Sequence, residues 1–66
     1  SKPEGKSMAY ALKKESMGVT SWLATIHGYP DNAVVCEELI KPYNSDPELS
    51  VIEGRYFCQP IEPKTN

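Results

Sequence analysis

The sequence predicts a small α+β domain in which one helix packs on a mostly antiparallel sheet and a single disulfide joins the two. Three observations support this fold class: a strand pattern over Val19–His27, a helical apolar arc over residues 31–41, and a cysteine in both the helix and the last strand. With 66 residues, the chain forms one domain with a thin stability margin, which small domains often increase with a disulfide.

The domain boundaries follow from composition. We expect a flexible polar tether at residues 1–7, a compact domain at residues 8–61 and a mobile tail at residues 62–66. The chain begins at Ser1 rather than at methionine. A secreted protein, or a lipoprotein cut away from its lipid-bearing cysteine, would begin in this way, and an expression remnant is the other explanation.

The first strand is predicted from alternation. Met8, Tyr10 and Leu12 alternate with small or polar residues, which favours a strand, although the strong helix formers of MAYALKKE leave a helix open over residues 8–14. Glu15–Gly18 is typical of a turn, because its glycine can adopt a positive φ angle.

The clearest strand is Val19–His27, which is rich in β-branched and aromatic residues. Strict alternation places Trp22, Ala24 and Ile26 on one face. We therefore expect Trp22 and Ile26 in the core and His27 at the rim or in solvent.

A helix is predicted over residues 31–41. Pro30 suits the first turn, and Asp31 can cap the exposed N–H groups. At 100° per residue the apolar side chains form one continuous arc, which comprises Val35, Cys36, Leu39 and Ile40. Pro42 disfavours the α conformation at Lys41, so we expect the helix to end there.

The last third of the chain is predicted to form a hairpin. Asn44–Pro47 is a cluster of turn residues, and Leu49–Ile52 has the composition of a short strand. Glu53–Gly54 would then turn the chain into a second strand at Arg55–Gln59. Pro60 cannot donate a ladder hydrogen bond, so this strand ends there or lies at an edge.

The two cysteines allow one bridge. Cys36 lies in the apolar arc of the helix, and Cys58 lies in the final strand, where a neighbour of that helix would run. A bond between them would contribute roughly 3 kcal/mol in the chain-entropy model. It also predicts an extracytoplasmic location, since disulfides persist in oxidising compartments. Two free thiols in a cytosolic protein are the alternative.

Charge and hydropathy exclude several classes of protein. Net charge is −2, with lysines concentrated in residues 1–14 and an acidic remainder. A nucleic-acid-binding domain needs a basic face, so that class is rejected. The basic amino-terminal part is only a weak signal for an anionic membrane surface. The sequence contains no apolar run long enough to cross a membrane.

Catalytic and metal sites are also disfavoured. His27 and Cys36 are the residue types of a nucleophile with its base, but a cysteine on a buried helix face cannot offer an accessible thiolate. Adding Cys58 gives three potential zinc ligands without the usual close spacing, and Asp31 would have to complete the set. We therefore predict no enzyme, no metal and no cofactor.

Protein binding is the function that these patterns favour. We expect the loops His27–Asn32 and Asn44–Leu49 to form one patch that docks on another protein, with rigid side chains beside prolines as anchors. The predicted contact residues are His27, Tyr29, Asp31, Asn32, Asn44, Asp46, Pro47 and Leu49.

In its concrete form, the prediction is a bacterial or phage-encoded envelope lipoprotein that modulates a larger envelope protein. The alternative is an inhibitor of an extracellular enzyme, with the loop around Pro47 entering a cleft.

Overall fold

The computed structural model describes residues 8–63, so the predicted tether and the last residues of the predicted tail lie outside it. In chain order the elements are β1 (Tyr10–Ser16), β2 (Val19–Ile26), helix α1 (Asn32–Ser45), a short 3-10 helix (Pro47–Leu49) and β3 (Arg55–Pro60). The strand order is β2-β1-β3, and both neighbouring pairs are antiparallel. One helix and a disulfide complete the structure, which confirms the predicted α+β class.

β1 and β2 form a tight hairpin. Met17 and Gly18 connect them with φ angles of 54° and 79°. Two consecutive positive φ angles match the turn whose twist suits a two-residue hairpin. The predicted turn is therefore confirmed, although β1 continues to Ser16. Residues 10–15 pair with β2 on one side and with β3 on the other, which settles the choice between strand and helix.

β2 contains an irregularity that reverses part of its predicted orientation. Leu12 pairs with Ala24, but Lys13 pairs with Trp22, so Leu23 is an extra residue without an opposite partner. Directly paired residues share a face, and neighbouring residues of β1 point to opposite faces. Trp22 therefore points away from the face that carries Ala24. It is 54% exposed, and the prediction that it lies in the core is wrong.

The core lies between α1 and the helix-facing side of the sheet. Cys36 and Ile40 of the helix are 0% and 5% exposed, and Ile26 of β2 is 8% exposed. The predicted burial of Ile26 and Cys36 is confirmed. The disulfide joins Cys36 to Cys58 of β3 with a Cα–Cα distance of 6.2 Å. The helix packs mainly against β3 and β1, and the helix-facing side of β2 is partly open.

Helix α1 begins as predicted but ends later. The Asp31 carboxylate accepts a hydrogen bond from the Val34 N–H at 3.2 Å, which caps the helix. The helix then continues through Pro42 to Ser45, so the predicted end at Lys41 is wrong. Proline removes one intrahelical hydrogen bond. Contacts between the last turn and β3 stabilise the extension.

These contacts converge on Tyr56. The side-chain amide of Asn44 donates to the Tyr56 carbonyl, and its oxygen accepts from the Tyr56 N–H, both at 2.9 Å. The Tyr43 ring packs against the Tyr56 ring with centroids 5.4 Å apart. Asn44 thereby satisfies the backbone of β3 in the way that a neighbouring strand would.

The predicted hairpin after the helix is wrong. Residues 47–49 form a 3-10 helix, in which the Asp46 carboxylate accepts from the Glu48 N–H at 3.1 Å, and residues 50–54 form no strand. β3 is the predicted strand, extended to Pro60, but it pairs with β1 from Tyr10 to Glu15. The edge of β1 that β2 leaves unpaired offers β3 a longer ladder of hydrogen bonds than Leu49–Ile52 could.

Gly54 is required by a close approach of the chain to β1. A Cβ atom at position 54 would lie 2.7 Å from the carbonyl oxygen of Glu15 and 3.0 Å from Cβ of Ser16. We expect Gly54→Ala to lower the free energy of unfolding by about 1–3 kcal/mol, because the chain must shift where β3 begins. Urea unfolding measures the loss, with Glu53→Ala in the same loop as the control. Equal midpoints for the two variants would contradict the prediction.

Candidate protein-binding surfaces

The first predicted binding loop is well ordered by its own hydrogen bonds. The Asn32 side chain accepts from the Tyr29 N–H at 3.0 Å and donates to the Met8 carbonyl at 3.2 Å. His27 and Asp31 are exposed, and Tyr29 is 51% exposed. Asn32 is only 2% exposed, so its side chain orders the loop and cannot present itself to a partner, contrary to the expectation.

The second predicted loop uses most of its polar groups internally. Asn44 bonds to β3, and Asp46 caps the 3-10 helix that begins at Pro47. Leu49, by contrast, is 52% exposed and is the apolar side chain that this segment offers to solvent. These hydrogen bonds order the segment, as a binding loop requires, but they leave few of its polar groups free to contact a partner.

The two loops do not form one patch. They flank α1 at its two ends, since the helix begins at Asn32 and ends at Ser45. At about 1.5 Å per residue, this helix separates them by roughly 20 Å. The expected single patch is therefore corrected to two separate loops.

A different surface stands out on the side of the sheet that faces away from α1. We call it the outer-face cluster: Lys13, Trp22, Arg55 and Phe57. The Lys13 Nζ lies 5.2 Å from the centre of the Trp22 ring, and the Arg55 guanidinium lies 4.8 Å from that of Phe57. Lys13 pairs with Trp22 on one side and Phe57 on the other, so the row crosses all three strands.

The outer-face cluster is preorganised. The Trp22 indole N–H donates to the Thr25 hydroxyl at 3.0 Å, which fixes the orientation of the half-exposed ring. The Lys13 ammonium also donates to the Gln59 side chain. No other element among residues 8–63 covers this face of the sheet. Each aromatic ring is therefore held beside a cation on a flat, accessible surface.

A second exposed surface is the loop before β3. We call residues 49–52 the apolar loop, because Leu49, Val51 and Ile52 are 52%, 103% and 57% exposed. Exposed apolar side chains in such a short segment are available to a concave partner. The sequence predicted a strand over these residues, so it did not predict an exposed apolar loop.

Side chains from three neighbours hold the apolar loop in place. The Ser50 hydroxyl hydrogen-bonds to the Tyr56 hydroxyl at 2.7 Å. The Lys14 ammonium donates to the Ile52 carbonyl, and the Ser16 hydroxyl donates to the Glu53 carbonyl at 2.7 Å. The loop is thus exposed in its side chains and anchored through its backbone.

The bond to Ser50 lowers the pKa of Tyr56, and Lys14 beside the ring acts in the same direction. We expect Ser50→Ala to raise the pKa of Tyr56, whereas Ser45→Ala should not. Ultraviolet titration of tyrosinate, with Tyr56→Phe to assign the transition, measures it. The pKa of Tyr56 is lower in the folded protein than in the unfolded protein. Ionisation of Tyr56 therefore stabilises the fold at pH values above the unfolded pKa of about 10, and this stabilisation is lost as the pH falls through the folded pKa. Equal titrations for both serine variants would contradict the assignment.

An apolar groove separates α1 from β2 on the helix-facing side of the sheet. It has a volume of about 330 Å³ and an almost entirely apolar lining. The lining residues are Leu12, Leu23, Ala24, Leu39, Ile40, Tyr43 and Tyr56.

The other chemistries weighed from the sequence find little support. Both cysteines are bonded to each other, so Cys36 has no thiolate to pair with His27. Among residues 8–63, no three His, Cys, Asp or Glu side chains come together to hold a metal ion. No helix in the same range is long and apolar enough to cross a membrane.

Comparisons of the chain with protein-family models, with curated proteins and with solved structures gave no match. Its function is therefore inferred from its own surfaces.

Proposed function

We propose that this chain is a small extracytoplasmic protein-binding module that docks on a larger protein of the cell envelope through the outer-face cluster. The observation that carries the proposal is the half-exposed Trp22 ring, fixed on a flat sheet face beside Lys13. The disulfide supports an oxidising, extracytoplasmic environment. In its concrete form the protein is a bacterial or phage-encoded envelope lipoprotein, and it is not an enzyme.

The composition of the outer-face cluster fits a binding surface. Tryptophan and arginine are the residue types most enriched among the side chains that dominate binding energy. Trp22 loses little conformational freedom on binding, because its ring is already oriented by Thr25. Burying the exposed half of an indole would contribute roughly 2–3 kcal/mol at about 25 cal/mol per Å².

Capture from the envelope fraction of the source organism tests the proposal. The oxidised protein, immobilised through its carboxyl end, should retain a transporter, receptor or secretion component. Trp22→Ala is the negative variant, and Val34→Ala is the matched control, since Val34 is 53% exposed on the helix. A protein retained equally by both variants, or by neither, would contradict docking through this cluster.

The alternative function is inhibition of an extracellular enzyme, and the apolar loop is the observation that favours it. Val51 is 103% exposed in the apolar loop, whose Ile52 carbonyl accepts from Lys14 and whose neighbour Glu53 accepts from Ser16. A rigid, protruding apolar side chain suits a cleft. In this case a stoichiometric enzyme would be captured, and Val51→Asp would abolish its inhibition while Trp22→Ala would not.

A further inference from the structure

The two outer edges of the sheet are treated differently. At the edge of β3, Asn44 occupies both the N–H and the carbonyl of Tyr56. At the outer edge of β2, no hydrogen bond to the backbone comes from any of the residues that the structure describes. The edge of β3 is thus occupied at Tyr56, whereas none of residues 8–63 occupies the edge of β2 along Val19–Ile26.

The sequence of β2 lacks two of the devices that usually protect an open edge. Natural edge strands carry charged side chains, prolines or bulges that prevent pairing with another chain. VTSWLATI contains no charge and no proline. It has one irregularity, at Leu23, and this residue is 52% exposed beside the apolar groove. The bulge therefore adds an apolar contact at the edge.

We propose that β2 pairs antiparallel with β2 of a second copy of this chain, which forms a six-stranded sheet in a two-fold symmetric dimer. In this arrangement Leu23 of each copy packs against the groove side of the other, together with Leu39 and Tyr43, which are 47% and 44% exposed. The outer-face clusters of both copies lie on the opposite side of the sheet and stay accessible.

Charge and symmetry favour a second copy as the occupant. An uncharged strand opposes its own copy without repulsion between like charges, and a two-fold axis makes one edge complementary to itself. The terminal segment SKPEGKS contains no large apolar side chain that could fill the groove. The strand that best matches the uncharged edge of β2 is β2 itself.

The available area fits a dimer of moderate affinity. Half-exposed side chains of leucine or tyrosine size each lose roughly 50–100 Å² on contact. With the paired strand edges, the two copies would bury on the order of 1,000 Å², just below the roughly 1,200 Å² at which standard stable interfaces begin. We therefore expect a dissociation constant in the micromolar range.

Sedimentation equilibrium of the oxidised full chain over the micromolar range tests the dimer. The wild type should change from monomer to dimer with concentration. Leu23→Lys should weaken dimerisation at least tenfold, because it places two charges near the two-fold axis, whereas Val34→Lys, at a site with nearly equal exposure on α1, should not. Circular dichroism and disulfide content establish that each variant is folded. If Leu23→Lys fails to fold, Leu39→Lys makes the same test from the helix.

Hydrogen exchange distinguishes strand pairing from contact between side chains alone. Backbone amides of Val19–Ile26 should exchange more slowly as the protein concentration rises, and those of β3 should not. A wild type that stays monomeric into the high micromolar range, or a dimer that persists in folded Leu23→Lys, would overturn the proposal. Arg55→Ala changes the outer-face cluster on β3, which β1 separates from the paired strand, so it should keep the dimer, and loss of partner binding and loss of dimerisation are separate results.

Discussion

Replacing both Cys36 and Cys58 by alanine is expected to lower the free energy of unfolding by about 2–5 kcal/mol, which would leave much of this small domain unfolded at physiological temperature. The bond closes a long loop that holds α1 on the sheet. The rest of the core is small, with Ile26 and Ile40 as its large buried apolar side chains among the residues described. Without the bond, few contacts offset the conformational entropy that α1 and β3 lose when they pack together.

Urea unfolding, monitored by circular dichroism with and without reductant, measures this effect. Reductant should destabilise the wild type by about as much as the double substitution, and it should not change the double variant further. Alkylation with mass readout is the direct control. Two freely alkylated thiols in the native protein would contradict both the bond between Cys36 and Cys58 and the extracytoplasmic location inferred from it.

Trp22→Ala is expected to weaken binding to the proposed envelope partner about 30-fold or more, which corresponds to a loss of about 2 kcal/mol. The ring is half-exposed and points away from the core, so the free domain should stay folded. Lys13→Ala should cost less, because the ammonium lies over the ring and stays partly solvated. Calorimetric titration of the captured partner with each purified variant measures the differences.

The matched control for this prediction is Val34→Ala, which removes an equally exposed side chain from the helix. Its affinity should equal that of the wild type. An unchanged affinity for Trp22→Ala, with a loss for Val51→Asp, would transfer the binding site from the sheet face to the apolar loop and would favour the inhibitor.

Sequence patterns that span only a few residues were sufficient to predict several elements of the fold. The alternation around Tyr10 predicted β1, a capping aspartate predicted the start of α1, and the helical period placed Cys36 on its buried face. The disulfide was favoured by these placements over two free thiols, because the inner face of the helix lies beside the strand that carries Cys58, and the structure shows the bond. The last strand, which carries Cys58, was also predicted correctly.

The candidate surfaces were harder to predict, because each depends on residues that are distant in the sequence. Composition predicted one patch from the His27–Asn32 and Asn44–Leu49 loops, whereas the length of α1 separates these loops. The outer-face cluster was missed entirely. Its members come from all three strands, and only the pairing of β1 with both neighbours brings them together.

The sequence by itself located β2, β3 and the start and buried face of α1, and it favoured β1 and the bond between Cys36 and Cys58, since these depend on local periodicity and chemistry. The tertiary structure alone decided which way Trp22 points, how far α1 continues past Pro42 and which strand β3 joins. The physical reason is the same in all three cases. A bulge at Leu23, the hydrogen bonds between α1 and β3, and the free edge of β1 are long-range interactions, and their energies outweigh the local preferences that the sequence displays.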